Sequence, residues 1–388
     1  MNSIDRVRAA IHFEKPDRVP VCKVGLADVL FMPMLPSKNW RPGHEPHEQG
    51  LFPFHYDDMW VKLGLWRWKK PGWAKSPEYK DWLKLPRQEI DEFGIVWQRD
   101  GENRSMGHPG PSALPDWGGL DEYFGRYHPD ATDRTRYSDF LRIAKLVGRN
   151  HYRLAILGFQ GPFTNAHAVR GFTDFLVDHR RNPEMVRRLL ARMTEFFVVS
   201  AKSWVKYGGK PHGFLMYDDL GDQNRPFMSP DMFADFYEPV YRPIIDTAHE
   251  LGCEIHLHSC GKIDLLMPLL IEWGFDAFEL DSPHMIGFED LEQFRGKVMM
   301  WGCVDIQRVY ATGTPEECER EVWRMIRYMG TPEGGYGAYF YPQPNHIGAP
   351  KENTHAFERG LKKYGNYSKI PSGWWDAPAE KVFQSLRH

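Results

Sequence analysis

From about residue 136 onward the chain repeats one rhythm, a stretch of helical periodicity followed by a short run of strand formers. Hydrophobic spacing predicts helices over 137–148, 171–181, 183–207, 230–251, 262–273, 288–295 and 315–329, and a last one from 350 or 352 to 364. Between them, strands are predicted over 152–158, 213–217, 254–258, 276–280, 298–302 and 335–341. Strands separated by helices pair in parallel, because the helix carries the chain back to the same end of the sheet. An N-terminal helix over 3–13 stops at Pro16 and leads into another strand at 19–23. The total of seven or eight parallel strands suits a (β/α)8 TIM barrel. The rival architecture is a doubly wound sheet, and no glycine-rich phosphate turn follows the first strand.

The segment 31–118 breaks the rhythm. It is rich in Trp, Pro, Gly and His, with a helix expected at 56–64 and a hairpin strand at 93–98. Its position before the regular repeat reads as an aromatic-rich elaboration over the barrel mouth, within a single barrel domain spanning 1–388. An independent N-terminal domain is the alternative. Aromatic residues make up 14% of the chain, enough to fill core and still line a pocket. A net charge of −3 without a long basic block argues against nucleic acid. Five scattered cysteines do not form a secreted disulfide framework, and no apolar run approaches about 20 residues. The expectation is a cytoplasmic protein without a membrane span, and a homodimer is open to it.

The chemistry gathers at the strand ends, where a barrel builds its site. Cys253, Ile255 and Leu257 alternate with Glu254, His256 and His258, and the strand stops at Ser259-Cys260-Gly261. His258 and Cys260 thus stand two residues apart at a carboxyl end, an imidazole and a thiol suited to zinc. Cys303, at the end of the next strand but one, can reach the same centre or be a small buried core residue, as Cys253 and Cys318 are expected to be. Glu279 can add an oxygen, and His346 can close from the last loop. Asp218 and Asp219 follow the strand at 213–217 and serve either acid–base work or loop capping and pairing with Arg225. Tyr217, Asn224, Trp60 and His346 are the expected substrate contacts, and Asp58 is a third candidate catalytic carboxylate.

These stretches resemble the uroporphyrinogen decarboxylase superfamily. The resemblance is carried by EKPDRVPV (14–21), DEFGIVWQ (91–98), the run from 217 to 244 opening YDDLGDQNRP, the run from 256 to 280 opening HLHSCGK, WGCVDIQ (301–307) and GAPKEN (348–353). It implies a (β/α)8 barrel with its site at the strand carboxyl ends. True porphyrinogen decarboxylases carry an arginine-rich segment after the first strand, whereas KVGLADVLFM (23–32) has no arginine. Their catalytic aspartate is nearest to Asp58. The His258-x-Cys260 pair is instead similar to that of the corrinoid-dependent methyltransferases, in which zinc is held by this pair and a later cysteine. No cysteine stands in the last loop here, so the third ligand falls to Cys303, Glu279 or His346. The resemblance implies zinc, a corrinoid (cobalamin) carried by a partner protein, and methyl transfer. The aromatic-rich segment suits a methoxylated aromatic donor and an O-demethylase. A methylcobalamin:thiol methyltransferase and a metal-free decarboxylase are the alternatives.

Overall fold

The computed structural model describes residues 1–23, 27–37, 52–53, 77, 81, 84–99, 107–146, 149–158, 160–342 and 344–378. After the helix Ser3–Ile11 come two short strands, β1 (Val21–Cys22) and β2 (Val29–Met32). Four more, β3 (Phe52–Pro53), β4 (Arg87–Ile90), β5 (Val96–Arg99) and β6 (His108–Pro109), form a sheet of their own. The main sheet continues with β7 (Tyr152–Ile156), β8 (Gly213–Tyr217), β9 (Glu254–His258), β10 (Ala277–Leu280), β11 (Met299–Gly302) and β12 (Tyr336–Tyr339). Its eight strands run in the order β1-β12-β11-β10-β9-β8-β7-β2, every pair parallel. This is the (β/α)8 barrel that the rhythm implies.

The ladder breaks only between β1 and β2, and Asp28 laces that seam. Its amide donates to the Val21 carbonyl at 3.0 Å. Its carboxylate, 2% exposed, accepts from the Val21 amide, Ser3, Arg6 and Arg18. The strand β2 was not anticipated. Val29-Leu-Phe-Met32 is buried at all four positions, so the run carries no alternation to reveal it. The helix expected from 262 begins at Met267, because the Lys262 amide is held by the Asp222 carbonyl at 2.7 Å.

Inside the barrel, β9 presents Glu254, His256 and His258 on one side and Ile255 and Leu257 on the other, all five buried. The His256 ring identifies the inward side. Its Nε2 lies 3.0 Å from the Tyr152 hydroxyl on β7, and its Nδ1 accepts from the Trp301 indole at 3.1 Å on β11. Neither strand neighbours β9, so both contacts cross the barrel's interior. Trp301 donates to Nδ1, so neutral His256 carries its proton on Nε2 and hands the donor role on to Tyr152, whose hydroxyl bonds Glu254 at 3.1 Å. Two glycines make the room. A Cβ at Gly213 would stand 2.2 Å from the Tyr152 hydroxyl, and one at Gly337 would stand 2.3 Å from the Trp301 ring.

The segment preceding β7 holds the expected hairpin as β4 and β5, paired antiparallel with Ile90 opposite Val96. Asp91 clamps its turn, accepting from the Phe93 and Ile95 amides and from the Trp97 indole at 2.8 to 3.0 Å. Glu92 then ties the hairpin to the chain that enters the barrel, through a two-bonded contact with the fully buried Arg136. The helix expected at 56–64, with Asp58 and Trp60, lies outside the described residues.

Burial holds the imidazoles of His256 and His212 at about 4. Freed in the unfolded chain they take protons near 6.5, so unfolding gains as pH falls through the window from 6.5 to about 4. The stability they contribute is complete above 6.5 and lost across that window. The His212 share is at most about 3 kcal/mol. Replacing His212 by Asn, whose oxygen can still take the Arg153 amide that His212 Nδ1 accepts, is expected to flatten the fall in urea-unfolding stability between pH 6.5 and 5. A variant with the wild-type slope would contradict this reading.

Candidate metal centre at the barrel mouth

Parallel register sets one row of side chains at the carboxyl ends. Tyr217 pairs with His258, His258 with Glu279, and Glu279 with Trp301. His258 and Glu279 therefore meet, and the Glu279 Oε2 sits against His258 Nδ1. A carboxylate on Nδ1 fixes the ring and turns Nε2 toward the open mouth, the arrangement found behind most metal-binding histidines. The Tyr217 ring lies 4.8 Å from the imidazole and tilts 50° to it.

Three atoms then converge. His258 Nε2 is 3.5 Å from Asp219 Oδ1 and 3.5 Å from the Cys260 sulfur. Tetrahedral coordination with bonds of about 2.0–2.3 Å separates ligand atoms by about 3.3–3.6 Å. The spacing fits a divalent ion held by one nitrogen, one sulfur and one oxygen. Asp219, His258 and Cys260 have the mutual distances a metal needs, and so do His258, Glu279 and Asp281. One Glu279 oxygen, Oε1, is buried with no partner, and the carboxylate is only 3% exposed. An orphaned anionic oxygen beside a nitrogen–sulfur pair fits a cation at this centre. Access is from the side of Asp219, whose carboxylate is 49% exposed while His258 is 9% exposed.

The electrostatics are those of a crowded acid site. Burial opposes charge on His258, but Glu279 and Cys260 outweigh it and hold the imidazole well above its usual range. Burial pushes the Glu279 carboxyl up to about 7 and raises Asp281 as well. Asp219 ends below the usual carboxylate range, because His258 and the Cys260 amide, 2.9 Å away, overcome its burial. Burial raises the Cys260 thiol, and Asp281 stands 3.5 Å from its sulfur. Metal binding at such a centre displaces protons from His258 and Cys260.

Several expected site residues change role. Asp218 is no acid or base over the mouth. It accepts from the Phe163 amide at 3.0 Å, from the Thr164 amide and hydroxyl at 2.7 Å each, and from the Tyr241 hydroxyl at 2.7 Å. It thus caps the helix Pro162–Arg170 from outside, taking the place of a side chain at Gly161, where a Cβ would lie 2.4 Å from the Asp218 carboxyl carbon. Cys303 is fully buried and joins neither group of metal-capable atoms among the described residues. Glu279 sits against His258 Nδ1 and keeps a place among the metal-capable atoms, in the group with His258 and Asp281. Asn224 is exposed on a turn whose Asn224 and Arg225 amides bond the Asp222 carboxylate. His346 lies in the short helix Pro344–Ile347 and joins neither metal-capable group among the described residues. Cys253 and Cys318 are buried, as expected of core thiols. Asp281 and Tyr341 were passed over. Both lie two residues beyond an inward position, Glu279 and Tyr339, and that alternation was the available signal. The Tyr341 hydroxyl is pushed up to about 12 by burial and then by Asp281 and Cys260.

A profile for Uroporphyrinogen decarboxylase (URO-D) matches residues 124–338, more than half of the chain. The chain belongs to this family. Within it, a methylated-thiol–coenzyme M methyltransferase from Methanosarcina mazei is 26% identical over 231 residues, covering 59% of this chain and 55% of that protein. The match thus spans about half the length of that curated relative. Among solved structures, a methyltransferase from Methanosarcina mazei superposes with a TM-score of 0.59 at 16% identity, covering 94% of this chain and 99% of that one. That likeness concerns the fold.

The two neighbouring aspartates separate cleanly by experiment. Asp218→Ala removes four hydrogen bonds and a helix cap and is expected to lower unfolding stability by about 2–4 kcal/mol. Asp219→Ala is expected to stay within about 1 kcal/mol of wild type, since it removes one of several like charges. Equal losses in urea unfolding would contradict the division of roles.

Proposed function

We propose that this chain is a zinc-dependent, corrinoid-linked methyltransferase that takes a methyl group from a methoxylated aromatic ether. The reading is carried by one observation, the convergence of donor atoms of His258, Cys260 and Asp219 within 4.8 Å of one another, with Glu279 against the imidazole. The M. mazei relative, whose name is that of a methyltransferase, and the His258-x-Cys260 resemblance supply the class of reaction.

In that reading a bound divalent ion supplies Lewis acidity toward the ether oxygen. His258, Cys260 and Asp219 hold it, and Glu279 keeps the imidazole in the tautomer that offers Nε2. The Tyr217 ring, 4.8 Å from the imidazole, shields it on one side. The methyl carbon would leave the ether oxygen, which keeps the bonding pair and takes a proton from water on release; a corrinoid partner, when docked, would supply the electron pair that accepts the methyl group.

Donor chemistry favours an oxygen substrate over the thiol alternative. One thiolate with a nitrogen and a carboxylate makes a harder centre than two thiolates would. A decarboxylase acting on several carboxylates meets the opposite difficulty, because Asp219, Glu279 and Asp281 surround the centre and 23–32 holds no arginine.

The protein as purified is expected to hold about one zinc per chain, measured by elemental analysis. His258→Ala, Cys260→Ala and Asp219→Ala should lose it, while Cys303→Ser keeps it. Glu279→Gln should weaken metal affinity about 10- to 100-fold. Zinc-loaded protein given a methoxyarene and a reduced corrinoid protein should yield the phenol and methylcobalamin. Absence of metal from every preparation, or of both products, would sink the proposal.

A further inference from the structure

We infer that Thr164 and Ser259 are positioning residues for the metal centre, two hydroxyls that fix Asp219 as its oxygen donor. The inference rests on the metal reading above and is independent of which methyl donor is used.

His258 is placed by its strand and by Glu279. Asp219 stands in the loop after β8, where no ladder holds it, yet its peptide is pinned on both sides. Its own amide donates to the Thr164 hydroxyl at 3.1 Å, and the next amide, that of Leu220, donates to the Ser259 hydroxyl at 3.1 Å. With both peptide planes held, the direction of the Asp219 Cα–Cβ bond is set. The Cys260 amide limits the remaining rotation by donating to Oδ1 at 2.9 Å. That same oxygen lies 3.5 Å from His258 Nε2.

Each hydroxyl is itself anchored. Thr164, in the helix Pro162–Arg170, donates to Asp218 Oδ1 at 2.7 Å. Ser259, between His258 and Cys260 and 2% exposed, donates to the Cys260 carbonyl at 3.0 Å. A hydroxyl that both donates and accepts has its proton placed, so neither can turn away without breaking two bonds.

The loops that Ser259 joins also meet as backbone. The Asp218 amide donates to the His258 carbonyl at 2.9 Å, and the Lys262 amide donates to the Asp222 carbonyl at 2.7 Å. Gly261, at φ +87°, lies so close that a Cβ there would stand 2.2 Å from the Gly221 carbonyl oxygen. The loops after β8 and β9 are thus laced into one piece, and the serine hydroxyl is the stitch nearest the donors. A donor ordered before the ion arrives binds more tightly than one that must be ordered on binding. Groups that orient ligands in this way contribute about 10- to 100-fold in metal affinity.

The test is a double-mutant cycle on cobalt(II) affinity. The metal-free full chain is titrated with Co²⁺, and binding is read from the absorption of the Cys260 thiolate–cobalt pair and from the ligand-field bands. Ser259→Ala and Thr164→Val are each expected to weaken binding about 10-fold when Asp219 is present. In Asp219→Ala, where no donor remains to be positioned, the same changes should cost less than about twofold. The thiolate band should persist in both variants while the ligand-field bands shift, because the sulfur stays and the oxygen moves. Either variant completes a cycle by itself, and urea unfolding of the metal-free proteins verifies that each is folded. Binding as tight as wild type, or an equal loss with and without Asp219, overturns the inference and leaves the metal centre standing. Failure of the wild-type chain to bind Co²⁺ overturns the metal reading and the inference with it.

Discussion

The parallel register of β8, β9 and β10 is the constraint on which the centre depends. It sets Tyr217, His258 and Glu279 side by side at the carboxyl ends of three neighbouring strands. A slip of one residue in either pairing would turn His258 or Glu279 to the outer face of the barrel. The imidazole would then lose the carboxylate that selects its tautomer. The layer below, with Tyr152, His256 and Trp301 bonded across the interior, resists such a slip, since each bond spans strands that do not touch. Gly213 and Gly337 belong to the same device, because any side chain there would occupy the space of a ring. Packing beneath the site thus maintains geometry within it.

The neighbours Asp218 and Asp219 show how the barrel assigns different work to one residue type. Asp218 turns toward the helix Pro162–Arg170 and saturates its carboxylate with amide and hydroxyl donors. Asp219, next in the chain, turns toward His258 and Cys260. The first aspartate holds together the loops over two strands, and the second joins the metal-capable atoms of His258 and Cys260. A carboxylate with four donors has no lone pair to spare for a metal, whereas one beside an imidazole and a thiol does.

The same division runs through the stretches shared with the family. The stretch 91–98, the turn and second strand of the β4–β5 hairpin, is structural in its contacts. Its Asp91 organises a turn, and the adjoining Glu92 fastens it to Arg136. His258 at the end of β9 and Cys260 just past it are instead metal-capable, and Asp219 from the loop after β8 brings a carboxylate to them. A carboxylate oxygen is a harder donor than a thiolate of the same charge.

Much of this was legible in the residues alone. The helix–strand alternation after 136 determined the barrel, because parallel strands need crossovers and nothing else in the chain supplies so many. The His258-x-Cys260 spacing at a strand end marked where metal-capable side chains would meet, since period two keeps both residues on one side. Strand β2 was hidden because burial on both faces removes alternation. The identity of the third donor was a tertiary matter. Periodicity tells which way a side chain points along its own strand, but the distance between Asp219, His258 and Cys260 depends on loops from two strands and on the helix that Asp218 caps. Cys303 shares the residue type and the strand-end position, yet it is sealed in the core. Glu279, on the neighbouring strand, meets the other ring nitrogen and groups with His258 and Asp281. Only the closed barrel, which brings residues distant in the chain to within a few ångströms, could decide between them.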